Sequence, residues 1–160
     1  MSDVYLYDSL SSGAGYAVSV AAIVDKLLDD IKVNLSSCDC GSACYKCLKH
    51  HRNQYAHGVL DRFAALDLLH WGMDGVKADS LTIEKQARLL LPLKSILGMS
   101  GCTINADGSQ ITVSKNGNTK SLVVYPAMWI EPVGKGTIYA SDAYLKFAKP
   151  YTVRKILEEL

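Results

Sequence analysis

Four cysteines fall within ten residues: Cys38, Cys40, Cys44 and Cys47, spaced C-x-C-x3-C-x2-C. A fifth, Cys102, stands apart. No packing demand concentrates thiols in this way, whereas four thiolates on one short loop can converge tetrahedrally on zinc at about 2.3 Å. The residues between the pairs, Gly41-Ser42-Ala43, are small and let the backbone fold tightly. A closed four-sulfur zinc site is structural, because full coordination leaves no position for a reactive water. The competing readings are an iron–sulfur cluster and four unrelated buried thiols. Cys102 reads as an ordinary buried thiol near a strand start.

The rest of the composition names no partner. The chain has 160 residues, 17 Lys plus Arg and 16 Asp plus Glu, for a net charge of +1. Any nucleic-acid surface must therefore be a local patch. No apolar run approaches the roughly 18 to 20 residues that a membrane span needs. The start, Met1-Ser2-Asp3-Val4, lacks the basic region of a signal peptide. These features point to a cytoplasmic chain with reduced thiols.

Hydropathy patterning predicts an α/β or α+β fold: strand, helix, zinc knuckle and helices, then a β-rich half with a terminal helix. Val4 to Tyr7 reads as a buried strand, followed by a Ser/Gly turn. Ala17, Val20, Ala21, Val24, Leu27, Leu28 and Ile31 share a helical stripe, predicting one helix over 15–32. A second helix is expected from His57 to Trp71, ended by Gly72 and Gly75. A third is expected from near Thr82, stopped or kinked at Pro92. Asp107-Gly108 and Asn116-Gly117 punctuate β-rich runs between Thr103 and Tyr125 as hairpin turns. Thr137 to Ala140 reads as a last strand. Ser141 or Asp142 can cap a short helix, and Pro150 opens the terminal one. The expected organisation is one domain over 1–160, with a helical half over 1–98, its knuckle at 38–47, and a β-rich half over 99–160.

Beyond the cysteines, Lys46, Lys49, His51 and Arg52 make a compact basic group, and the segment from Lys46 to Arg62 carries a balance of +3. These residues suit phosphate contacts, and Asn53 and Gln54 suit base edges or a helix cap. A solvated basic surface explains the same charges. Gly13 and Gly15 flank a strand-to-helix turn whose amides could meet an anion, though a tight turn also requires small residues there. Gly134-Lys135-Gly136-Thr137 fails as a phosphate-binding loop, because Trp129 stands where the first Gly is needed. Asp8, His57, Asp61 and Arg62 are the residues from which a nuclease-type site could be assembled, but no complete catalytic motif is present.

Tyr7-Asp8, Gly13-Ala14-Gly15-Tyr16, the cysteine pattern, Leu48, Asn53-Gln54, His57 and Leu60-Asp61-Arg62 together resemble the MrfA-type zinc-binding domain. That domain typically ends superfamily-two DNA helicases of bacterial DNA repair and anti-phage defence, including DISARM- and Druantia-type systems. Val123-Val124-Tyr125-Pro126-Ala127 extends the resemblance into the later half. Ser12 departs from it where the family often has Gly, and His51 where it often has an aromatic residue. The resemblance implies that Cys38, Cys40, Cys44 and Cys47 hold one structural zinc ion, with the stretch from Asn53 to Arg62 packed beside it. It also implies a DNA partner and a helicase or ATPase partner, since no motor motif lies in this chain. A Met start and a terminal helix suggest a separate accessory subunit. Tyr5, Tyr45, Trp71 and Trp129 are candidate docking anchors, unless they are core.

Overall fold

The computed structural model describes residues 15–160. The strand expected at Val4 to Tyr7, and with it Tyr5, Asp8 and Gly13, lies outside the described residues. The chain divides into two compact units, Met1–Asp74 and Gly75–Leu160. The division therefore falls before the third expected helix and not at 98/99: that helix joins the strands, because its apolar face forms part of their core.

In the first unit, α1 (Tyr16–Ala21) and α2 (Val24–Ser37) replace the single helix expected over 15–32. Ile23 leaves the helical range at φ −126°, ψ 16° and breaks the ladder. The apolar spacing continues across the break because α2 resumes at once, so periodicity could not reveal it. The cysteine loop follows α2, and a 3-10 turn occupies His51–Ala56. Helix α3 (Arg62–Asp74) begins five residues later than expected. Asp61 fixes that start, since its Oδ1 accepts from the amides of Phe63 at 3.0 Å and Ala64 at 3.4 Å. Gly72 lies inside α3, and Gly75 follows it with φ 68°, the left-handed conformation that ends many helices. Lys32 of α2 and His70 of α3 both pair with Asp74, the lysine at 2.5 Å and the histidine at 3.0 Å.

In the second unit, α4 (Ile83–Met99) runs through Pro92. Leu90, Leu93 and Leu97 share its fully buried face, while Pro92 lies on the exposed side. Burial of that leucine face outweighs the one backbone bond a proline removes. Strands β1 (Cys102–Ala106), β2 (Ile111–Lys115) and β3 (Asn118–Tyr125) form an antiparallel meander, and β4 (Thr137–Ser141) adds in parallel to β3. The hairpin turns fall where Gly108 (φ 86°), Asn116 (φ 50°) and Gly117 (φ 86°) permit them. Helices α5 (Asp142–Phe147) and α6 (Lys149–Glu159) close the unit. Ile104, Val113, Leu122, Val124 and Ile138 meet Leu90, Leu93, Leu97, Leu145 and Ile156 in one core. Gln86 ties α4 to the sheet: its side chain donates to the Leu81 carbonyl at 2.7 Å and accepts from the Val124 amide at 2.8 Å. The architecture is thus mixed: a helical first unit with the cysteine loop, and a second unit in which α4, α5 and α6 pack on a four-stranded sheet.

Candidate metal centre

The end of α2 delivers Cys38, and the chain then turns so that Cys40, Cys44 and Cys47 face it. The Cys38 sulfur lies 3.5 Å from those of Cys40 and Cys44, and the Cys47 sulfur lies 3.7 Å from Cys40 and 3.8 Å from Cys44. All four sulfurs are within 4.8 Å of one another. A zinc tetrahedron with Zn–S bonds of about 2.3 Å has sulfur–sulfur edges of about 3.8 Å. The loop therefore already has the dimensions of a four-sulfur site, and it suits one structural zinc ion.

Local hydrogen bonds shape the loop and its ionisation. The amides of Cys47, Leu48 and Lys49 all donate to the Cys44 carbonyl. The Cys44 amide donates to the Cys47 sulfur at 3.3 Å, and the Lys46 amide to the Cys44 sulfur at 3.4 Å. That Lys46 amide, with the neighbouring Cys38 thiol, brings Cys44 down to about 7. Withdrawal from water, then the surrounding sulfurs, push Cys40 up to about 12. A bound dication stabilises all four as thiolates, because ligation displaces the thiol proton.

The stretch from Asn53 to Arg62 packs beside this loop. Arg62 is a buried cation whose Nε donates to the Cys40 carbonyl at 2.8 Å and whose Nη1 donates to the Leu35 carbonyl at 2.9 Å. The Arg62 amide donates to the Ser42 carbonyl at 2.8 Å, and the Ser42 hydroxyl donates to the Leu60 carbonyl at 2.7 Å. Asn53 is also used internally. Its Nδ2 donates to the Leu48 carbonyl at 2.9 Å and its Oδ1 accepts from the His50 amide at 2.7 Å. His57 Nε2 lies 3.0 Å from both the His50 carbonyl and Asn53 Oδ1.

The remaining sequence candidates are placed as follows. Lys46, His51, Arg52 and Gln54 are exposed beside the knuckle, and Lys49 is half-buried. Gly15 is the residue before α1, at φ 73°, with its carbonyl accepting from the Ser19 amide and hydroxyl. Of the nuclease candidates, the described three each bond to neighbouring main chain: His57 to His50, Asp61 to the start of α3, and Arg62 to Leu35 and Cys40. Cys102 is buried in β1 of the second unit. Tyr45 is exposed with its ring edge-on to His57 at 5.5 Å, Trp71 is exposed, and Trp129 is half-buried with its indole N–H on the Ala78 carbonyl. Two residues do more here than the sequence specifies: Tyr55 is not singled out by it, and Arg62 is expected beside the knuckle only through the family resemblance, without its contacts. Tyr55 stands 92% exposed on the 3-10 turn amid the basic group, and Arg62 joins three segments that composition could not bring together.

Residues 1–48, which include all four clustered cysteines, match the family described as the MrfA Zn-binding domain. The chain is 31% identical over 163 residues, 98% of its own length, to the Druantia protein DruE of Escherichia coli (strain UMEA 4076-1). It spans 9% of that protein's length. No solved structure matches the chain. The zinc-domain resemblance visible in the sequence is thus shown over the segment that carries the knuckle.

Proposed function

We propose that this chain is a non-catalytic, zinc-structured accessory module of a DNA helicase or translocase in cytoplasmic anti-phage defence, docking the motor and helping to hold DNA. The observation that carries the reading is the juxtaposition in one unit of a closed four-sulfur knuckle and a basic rim in which Lys46, His51 and Arg52 are exposed and Lys49 is half-buried. The knuckle fixes the backbone, and Lys46, Lys49, His51 and Arg52 project from or beside it as phosphate partners. Gln54 and Tyr55 add a polar and a stacking contact, while Asn53 serves the internal architecture. Four sulfur donors leave zinc no position for a substrate water, which supports a structural role. Similarity to a Druantia protein supports the defence setting. Tyr45 and Trp71 are exposed anchors of the kind that dominate protein interfaces. The ATPase motor is assigned to the partner.

The test is DNA binding as a function of salt, with the motor partner present and absent. Phosphate contacts by Lys46, Lys49 and Arg52 give a log–log slope of about −2.7, and the Lys49→Gln/Arg52→Gln double variant lowers its magnitude by about 2. Affinity should fall uniformly across DNA sequences. An unchanged affinity and slope in the assembled complex would remove DNA from the reading and leave a protein-interaction module.

A further inference from the structure

We infer that Arg62 is the positioning residue of the metal centre: its guanidinium locks the Cys38–Cys40 arm onto the end of α2 and sets how tightly the knuckle keeps its metal. Among the described residues it is the buried charged side chain of the molecule. Its two donors reach different segments, Nε the carbonyl of the ligand Cys40 and Nη1 the carbonyl of Leu35 in the last turn of α2. Its own amide holds Ser42, on the far side of Cys40. The second half of the arm is therefore clamped at residues 40 and 42, and α2 fixes the residue before Cys38.

The charge matters as well as the geometry. Zinc with four thiolates carries a formal charge of −2, which must be balanced when the site is withdrawn from water. A guanidinium bonded to the main chain of one ligand supplies a permanent positive charge there, because arginine does not deprotonate at working pH. The same charge sits favourably at the carbonyl end of α2. The Phe63 ring, 4.0 Å from the guanidinium carbon, covers its face and helps hold the fork in plane. Lysine keeps the charge, but its single ammonium lacks the planar fork that reaches two carbonyls at once. Both features are therefore needed, and the two can be separated by substitution.

This inference rests on zinc binding at the knuckle and is independent of DNA. The test is the rate of zinc transfer from the full chain to excess chelator, followed with a metallochromic dye. Arg62→Lys, Arg62→Gln and Lys32→Met are compared with the parent, and Co2+ replaces Zn2+ in parallel to report thiolate geometry by its absorption. Lys32→Met breaks a contact between the same two helices away from the knuckle, so it reports what general loosening does. Arg62→Gln is expected to release zinc about 10- to 100-fold faster, the usual effect of removing an outer partner of a metal ligand. Arg62→Lys should fall between it and the parent, and Lys32→Met should release at the parental rate. If Arg62→Gln fails to fold, the Arg62→Lys rate decides. Release from Arg62→Lys at the parental rate, or equal acceleration by Lys32→Met, overturns the inference. A parent protein that takes up no zinc or Co2+ overturns both the inference and the metal reading, and its apo thiol content distinguishes that outcome.

Discussion

The two units are stabilised by different means. In the second, leucines of α4 and alternate residues of four strands converge with α5 and α6 on a closed apolar core. In the first, Leu35 and Arg62 are the buried residues among those described, while Val18, Val33, Val59 and Phe63 stay exposed. Apolar burial of the kind in the second unit supports a fold by itself. The described residues of the first unit bury little apolar surface, and the four thiols are placed to supply a cross-link through a metal ion. The polar contacts of the first unit are arranged accordingly. Arg62, Ser42, Asn53 and His57 all brace the main chain around the cysteine loop.

The largest expected effect separates the units outright. Cys44→Ser removes one of the four thiolates while leaving in place the main-chain carbonyl on which three amides converge. Metal-binding free energy is folding free energy in such sites, with apparent values of about 10–16 kcal/mol in small zinc peptides. The variant should lose zinc and the ordered structure from Ser36 to His57, while the sheet unit keeps its near-ultraviolet signal. Cooperative collapse of both units in this variant would break the comparison.

The converse substitution acts on the other unit. Leu93→Ala opens a cavity in a fully buried position of α4 and should cost about 2–5 kcal/mol in chemical denaturation. Zinc stoichiometry should stay at the parental value. Loss of zinc from Leu93→Ala would show that the first unit relies on the second.

The smallest effect concerns acid. Asp107 accepts from the amides of Gln110 and Ser109 and the Ser109 hydroxyl in the β1–β2 turn, which holds its carboxyl down at about 2. A depressed carboxylate stabilises the fold above its unfolded pKa, and that contribution is lost as pH falls through the folded value. Asp74, lowered by Lys32 and then His70, acts in the same direction in the first unit. Protons also compete with metal for thiolates. On acidification the knuckle should therefore lose order first, and the Ser109 and Gln110 amide signals should persist until pH approaches about 2. Simultaneous loss of both sets of signals would contradict the separation.

What the sequence disclosed follows the range of the forces involved. Ligand spacing and turn chemistry are local, so Cys38 to Cys47, Asp107-Gly108 and Asn116-Gly117 were legible as a metal loop and two hairpins. The helix across Pro92 was not, because burial of Leu90, Leu93 and Leu97 against distant strands decides it. The break at Ile23 leaves the apolar stripe in phase and so leaves no trace in periodicity. Arg62 was singled out as a possible catalytic side chain. Its contacts with Leu35 and Cys40 span 27 and 22 residues, beyond anything spacing can encode.

The central claim is that metal holds the first unit and apolar burial the second. Amide hydrogen exchange of the full chain, with zinc bound and after chelation, tests it most directly. Chelation is expected to abolish protection across Cys38 to Ala56 and at the start of α3, leaving β1–β4 and α4 protected as before. Undiminished protection of the cysteine loop after the metal is removed would contradict the account.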